Sequence, residues 1–337
     1  MDVTIVIILH NRHQNIRRLA EYYRDIKASI ILADSSAQKH PSDSIPTSWN
    51  HIYTPGINYT QKIELILQQV SSRYVILCAD DDFIMPVAIE KCINFLNNNP
   101  DYASVQGRCV CYKKSEVIAG AGISFYPIYP RLEYSYEAAD GLERLDDLLA
   151  DYKSYLYAVH RTSLLKDAYT GASASIRNLY LNEYNASILP IVKGKYKELP
   201  FLYQVREYAE DSDDKTAINI NTLLKDPAFK PDIDDFVYYL SSKINTWINN
   251  QEASAVTSRL HTGLARLAAS IENSYRLRPS FKKRVGQLVA LMPVVGKKII
   301  EKSRKKELEA EMAKIVGSEN EKKELNKVAS VLQKRLT

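Results

Sequence analysis

Seven residues near the start of the chain, Val3-Thr4-Ile5-Val6-Ile7-Ile8-Leu9, are nearly all β-branched or aliphatic. A strand with one wet face alternates apolar with polar residues. An unbroken run fits a strand covered on both faces, as in a parallel sheet with helices above and below. A helical pattern runs from Ile16 to Tyr23, and a second strand runs from Ala28 to Ala33. A third apolar run, Tyr74 to Ala79, precedes an amphipathic stretch from Val87 to Leu96. Strand, helix, strand with a polar residue at each strand exit is a βαβ unit. In open sheets of this kind ligands bind at the carboxyl ends of the strands. Three exits therefore offer His10-Asn11-Arg12, Asp34-Ser35-Ser36 and Asp80-Asp81-Asp82 to one crevice.

The acidic triplet is the sharpest of these signals. Like charges a few ångström apart raise one another's pKa unless a cation neutralises them. Oxygen donors of this kind suit Mg2+ or Mn2+, ions usually shared with a phosphate-bearing substrate. The plainer reading is an acidic turn that caps the next helix.

The segments IVIILHNR (5–12), IILADSS (30–36), NYTQKIELILQQVSSRYVILCADDDFIMPVAIE (58–90), YAVHR (157–161), LNEYNASILPIVKGKYKELP (181–200) and VREY (205–208) carry a resemblance. Together they resemble nucleotide-sugar-dependent glycosyltransferases of the GT-A fold, closest in pattern to the bacterial inverting type used for surface polysaccharides. The likeness covers roughly the first 210 residues. It implies an α/β, Rossmann-like, mostly parallel sheet flanked by helices, with a C-terminal helical extension. It also implies a DxD-type metal site, a nucleotide pocket on the first half and an acceptor site on the second.

By that resemblance Asp82 is the direct ligand of Mn2+ or Mg2+, and Asp80 contacts ribose, a metal-bound water or the metal itself, with Asp81 between them. Asp34 falls where the family recognises the base or ribose; an Asx turn with Ser35 and Ser36 is its plain alternative. His10, Asn11 and Arg12 are candidates for nucleotide or phosphate contact, Arg12 as a bidentate partner of phosphate. Lys62 falls near a donor contact of the family, and a solvated helix face accounts for it equally well. An inverting transfer needs a carboxylate to take the acceptor's proton. Where the family often has Glu-Asp or Asp-Glu, this chain has Asn182-Glu183, so Glu183 inherits the role and Asn182 departs from the pattern. Asp140, Asp146, Asp147 and Asp151 compete for it. His160 and Arg161 end the YAVHR strand, as acceptor or diphosphate contacts or as structural residues.

Composition agrees with a globular enzyme: 45% of the 337 residues are apolar and 25% charged. Met1-Asp2 leads straight into a core strand, so no signal peptide is expected. Cys78, Cys92, Cys109 and Cys111 lack the paired spacing of a zinc site and read as packing residues of a protein in a reducing, cytoplasmic setting.

Further along, Ser104 to Tyr112 reads as a strand, 119–122 as a Gly-rich turn and Tyr126 to Tyr136 as an irregular aromatic loop. Residues 138–151 read as a helix, Ser154 to His160 as a strand, Leu179 to Val192 as a helix closed by Gly194, and Tyr196 to Leu202 as a strand. A composition shift at 210–214 suggests three parts: a GT-A domain over 1–210, a helical extension over 211–275 and a basic amphipathic tail over 276–337. Helical patterns there cover Ile233 to Asn249, Ala253 to Tyr275 and Phe281 to Met292.

Residues 276–306 hold eleven Lys and Arg against Glu301 alone, a net charge of +10, interleaved with apolar residues. That pattern reads as binding to an anionic membrane surface, at about 1 kcal/mol per basic residue. Val285 to Val295 is too short for a spanning helix, which needs about 20 apolar residues. The location expected is the cytoplasm, peripheral on the inner face of the cell membrane. A homo-oligomer interface through the C-terminal helices is the other reading. Nucleic acid is not expected, because aromatic stacking platforms are nearly absent from this segment.

The partners implied are a nucleotide-sugar donor and a glycan or polyprenyl-linked acceptor. The alternative function is a non-catalytic nucleotide-sugar-binding or scaffold protein of a polysaccharide assembly complex.

Overall fold

A computed structural model describes residues 1–113, 123–128, 133–208, 220–248, 253–290, 309–310 and 312–336, with side chains of 273–290 outside the description. The Gly-rich turn at 119–122, the 210/211 boundary and nearly all of the basic segment's side chains therefore lie outside the described residues.

The strands are β1 (Val3–Leu9), β2 (Ser29–Asp34), β3 (Asn50–Tyr53), β4 (Tyr74–Ala79), β5 (Phe83–Ile84), β6 (Tyr102–Lys113), β7 (Phe125–Pro127), β8 (Ser135–Tyr136), β9 (Val159–Arg161) and β10 (Lys195–Tyr208). They form one sheet in the order β3-β2-β1-β4-β9-β6-β10-β5, with β7 on β6 and β8 on β10. β3, β2, β1 and β4 are mutually parallel, as are β6 and β10, and the short β9 runs antiparallel between the two groups. β2 and β4 flank β1 on opposite sides, so the switch point that favours ligand binding lies at the exit of β1.

The helices are α1 (Ile16–Tyr22), α2 (Tyr59–Gln69), α3 (Pro86–Asn98), α4 (Gly141–Ala150), α5 (Thr162–Tyr169), α6 (Leu179–Lys193), α7 (Ile220–Lys225), α8 (Lys230–Ile248), α9 (Ala253–Ala290) and α10 (Glu319–Leu336). They cover both faces of the sheet, which is why β1 and β4 are apolar throughout. Val6, Val75 and Leu77 point into one core with Ile63, Leu148 and Ile188. Ile5, Ile7, Ile76 and Cys78 point into the other, with Leu19, Ile89 and Val328. The fold class is the one expected: a mostly parallel α/β sheet flanked by helices, with a helical C-terminal extension.

Several local expectations change. The aromatic loop contributes β7 and β8, and the strand expected over Ser154 to His160 shortens to β9. Gly194 does close α6, with an extended backbone (φ −162°). Glycine is required there by close approach, since a Cβ would lie 2.8 Å from Ala103 N and 2.9 Å from Asp101 O. Two helices expected at 253–275 and 281–292 are one, α9, which packs on α4, α7 and α8. α10, read as part of the basic tail, docks on α1, with Leu325, Val328, Val331 and Leu332 buried against the sheet's second core. Tyr22 donates to Glu324 at 3.0 Å, and Glu321 accepts from Leu202 N at 3.4 Å. No helix among the described residues is long and apolar enough to cross a membrane.

His160 and Arg161 are structural. The His160 ring is fully buried, with Nδ1 2.7 Å from Ser104 Oγ and Nε2 3.2 Å from Leu156 O. Arg161 donates to the carbonyls of Leu96, Asn99 and Tyr102 at 2.7–3.0 Å, closing the end of α3. Burial pushes the His160 pKa down from 6.5 to about 4. The folded chain thus holds this ring neutral, whereas the unfolded chain protonates it below about 6.5. The stability it confers is complete above pH 6.5 and is lost as pH falls, by about 3 kcal/mol at pH 4. In urea unfolding at about pH 7 and about pH 5, the wild type should lose more stability on acidification than His160→Gln. Equal losses would show that this ring does not set the acid limit.

All four cysteines are free thiols, three of them buried and Cys111 half-buried.

Candidate active site

The exits of β1 and β2 are laced together before any ligand arrives. Asn11 takes a left-handed backbone (φ 56°), which asparagine tolerates better than most residues. In that conformation its N–H donates to Ser36 Oγ at 2.8 Å and its Oδ1 accepts from Ala37 N at 3.0 Å. His10 Nδ1 lies 3.1 Å from both oxygens of Ser35. The left-handed turn delivers Arg12 to the acidic triplet across the exit of β1.

Arg12 Nη1 donates to Asp81 Oδ2 at 2.6 Å, its Nε donates to Asp80 Oδ2 at 3.3 Å, and its Nη2 pairs with Asp80 Oδ1. Asn15 Nδ2 lies 3.5 Å from Asp80 Oδ1. Asp82 faces the opposite way, towards β10. Its Oδ2 accepts from Gln204 Nε2 at 2.9 Å and lies 3.3 Å from Arg206 Nε, and its Oδ1 accepts from Glu207 N at 3.1 Å. Glu207 in turn accepts from Arg18 at 3.0 Å and from Tyr112 at 2.8 Å. Register shifts at Glu198/Leu202 and Leu202/Gln204 bend β10 just before this contact.

Burial raises Asp80 and Asp82, each to about 7, and the Asp81 charge adds to the push. Arg12 is the main opposing group at Asp80, and Arg206 at Asp82. Arg12 and Arg206 thus offset part of the cost of burying these carboxylates, and burial still prevails.

Lys62 does not sit on a solvated helix face. It is buried, and its Nζ donates to Leu9 O at 2.9 Å and Ser35 Oγ at 2.8 Å. Burial lowers its pKa to about 8 against the pull of Asp80 and Asp34. Asp34 is also buried. Its Oδ1 accepts from Ser36 N at 2.9 Å, and its Oδ2 accepts from His40 N at 3.3 Å and lies 3.1 Å from His51 Nε2. Burial works to raise its pKa, but the bonds from Ser36, His40 and His51 outweigh it and hold the group below its usual value. Asp34 thus organises the β2 exit, and both its oxygens are engaged by its own loop.

The expected metal can be tested on this donor set. Among the described residues no group of three or more His, Cys, Asp and Glu side chains is placed to hold an ion. Asp80 and Asp82 are 0% and 3% exposed at the side chain and tied to internal donors, whereas Asp81 is 13% exposed beside the half-exposed Arg12. Asp81 is therefore the most accessible carboxylate of the three. Asp82, expected as the direct ligand, joins the turn after β4 to β10 through Gln204 and Glu207.

Glu183 lies in the second turn of α6, after the cap formed by Asn178 Oδ1 on Tyr180 N. Its Oε1 accepts from Tyr152 O–H at 3.1 Å. The neighbouring Asn182 is 1% exposed, and its Oδ1 has no partner among the described residues. A carboxylate at 182 would place a charge where the Asn182 oxygen finds no donor among the described residues, which gives a physical reason for the neutral amide. The competing aspartates are engaged elsewhere or exposed. Asp140 caps α4, and Asp146 lies 3.5 Å from Arg259 on α9. Asp147 and Asp151 lie exposed on the surface.

Tyrosines connect the two halves of the site. The Glu183 charge adds to the upward push of burial on Tyr59, and the charges of Asp82 and Asp81 do the same for Tyr157. Arg206 lies over the Tyr157 ring, 5.4 Å from its centroid. Gln204, Arg206, Glu207 and Tyr152 were not singled out from the sequence. The available signal was the segment VREY (205–208), which contains Arg206 and Glu207, with Gln204 two residues before Arg206 and so on the same side of the strand.

No family model matches the chain, and no curated protein matches it. Solved structures do. S. aureus TarS 1–349 in complex with UDP-GlcNAc is 13% identical, with 82% of this chain and 92% of that chain covered and a TM-score of 0.46. The same protein in complex with UDP gives 12%, 82%, 92% and 0.43. A CMP:2-keto-3-deoxy-manno-octonic acid synthetase complexed with CTP gives 13%, 61%, 90% and 0.32. At such values the likeness is confined to the course of the chain.

Proposed function

We propose that the chain is a glycosyltransferase that moves a sugar from a nucleotide-sugar donor to a hydroxyl of a glycan or polyprenyl-linked acceptor, with inversion. The observation that carries the reading is the cluster of charged side chains at the β1 switch point. There Arg12, Arg206 and Asp81 remain partly exposed around an otherwise closed acidic cluster. Guanidiniums parked on carboxylates are well suited to receive a diphosphate, which offers them the same bidentate oxygens. Lys62 braces the β1 and β2 exits from beneath and lends positive charge to the pocket.

In this reading Glu183 takes the proton from the acceptor hydroxyl, whose oxygen forms the new bond to the anomeric carbon. The bond from that carbon to the diphosphate oxygen breaks, and its electron pair leaves with the nucleoside diphosphate. Mn2+ or Mg2+, held by Asp81 together with the diphosphate, would supply Lewis-acid stabilisation of that leaving charge. Arg12 and Arg206 hold the departing group in place.

Release of nucleoside diphosphate from a panel of nucleotide sugars, with a bacterial polysaccharide or polyprenyl-linked acceptor and Mn2+, tests the reading. Acceptor-dependent release supports it. Nucleotide binding without any transfer would favour a non-catalytic binding protein instead.

The setting proposed for this transfer is bacterial surface polysaccharide synthesis, with the protein held peripherally at the cytoplasmic membrane face by residues 276–306. Flotation with vesicles rich in anionic lipid should carry the full chain at low salt and release it as salt screens charges over about 8–10 Å. A chain that ignores such vesicles at low salt would turn attention to a subunit interface through the C-terminal helices.

A further inference from the structure

We infer that Tyr152 is the positioning residue that fixes Glu183 as the base; this rests on the transfer reading above. Tyr152 lies two residues beyond the end of α4. Its hydroxyl donates to Glu183 Oε1 at 3.1 Å and lies 3.4 Å from Ser187 Oγ. Glu183 and Ser187 are one helical turn apart, so a single phenol spans one face of α6. The Tyr152 ring packs against Tyr184, with centroids 5.0 Å apart and planes at 44°. Wedged there, it has little freedom of its own to lose.

Two properties of a base follow from that contact. A glutamate side chain on a helix has several rotamers, and a fixed donor on one oxygen selects among them. A donor to the charged carboxylate also favours it over the neutral acid, and the charged form is the one that accepts a proton. Another phenol that responds to the Glu183 charge is Tyr59, at the start of α2, which packs on α6. Burial pushes both phenols up, so both stay protonated wherever a carboxylate titrates. The tyrosines therefore stay out of the acid limb, while Asp80 and Asp82, raised to about 7, titrate within it, so the part of the limb that moves in Tyr152→Phe is the part that reads Glu183.

Tyr152→Phe removes the hydroxyl and keeps the ring. It should lower kcat about tenfold and move the acid limb about one unit to higher pH, the size expected for one charge-assisted hydrogen bond. Donor KM and calorimetric affinity for the nucleoside diphosphate should stay unchanged. Ser187→Ala, which takes away Tyr152's other partner, should leave the acid limb in place. An unmoved acid limb in Tyr152→Phe overturns the inference, whatever the rate does. Glu183→Gln separates the two failures. Near-normal turnover there removes the base role and this inference with it. A large loss there, beside an unmoved limb in Tyr152→Phe, removes the inference alone.

Discussion

Asp82→Ala should destabilise the protein by about 1–3 kcal/mol, the usual cost of leaving buried hydrogen-bond donors without a partner. The variant strands Arg206, Gln204 and the Glu207 N–H, all of which converge on that carboxylate. Its neighbour should behave in the opposite way. Asp81→Asn keeps the shape of a partly exposed side chain, so the urea midpoint should barely move. Turnover should fall by about 10²-fold or more, the scale on which loss of one preorganised electrostatic contact is felt in a transition state. Urea unfolding and initial rates on the two variants decide the matter. If Asp82→Ala unfolds like the wild type while Asp81→Asn turns over normally, the assignment of strut and site within the triplet is wrong.

Glu183→Gln should cost about 10²–10⁴-fold in transfer rate, the range of general base catalysis, with donor affinity retained. Glutamine preserves the acceptor oxygen for Tyr152, so the local fold should survive and the loss can be ascribed to the proton. Single-turnover transfer and calorimetry with the nucleoside diphosphate separate chemistry from binding. Normal transfer by this variant would exclude Glu183 as the base. Asp140 and Asp146 are poor replacements, because one caps a helix and the other pairs with Arg259.

The buried sheet was legible because its signal is redundant. Val3 to Leu9 and Tyr74 to Ala79 can lie apolar end to end only when both faces are covered, and polar triplets mark their exits. What escaped was pairing at a distance. Nothing local tells that Asp82 turns towards Gln204 and Glu207 while Asp80 turns towards Arg12. That choice comes from a bend in β10 more than a hundred residues on. Lys62 illustrates the same limit: a lysine on an amphipathic helix is ordinarily wet, and only the Leu9 carbonyl and Ser35 hydroxyl waiting beneath it make burial tolerable. His160 and Arg161 looked like strand-exit ligands by position. β9 is a three-residue bridge between two stronger strands, so its polar side chains end up closing the interior.

The docking of α10 on α1 also bears on how the protein is made. Synthesis runs at about 5–20 residues per second, and early segments generally fold before later ones emerge. The strands that form the site are complete by residue 208, yet among the described residues α1 is packed by the helix at 319–336, more than a hundred residues later. For most of translation the nascent protein therefore carries an uncovered apolar patch, the surface that chaperones hold and proteases find. A chain stopped before residue 319 would keep that patch, and arrested ribosome complexes would show it as protease sensitivity around α1 that disappears once α10 has emerged. Burial of this face thereby waits on residues far along the chain, and copies with and without α10 differ in a surface that a protease can read.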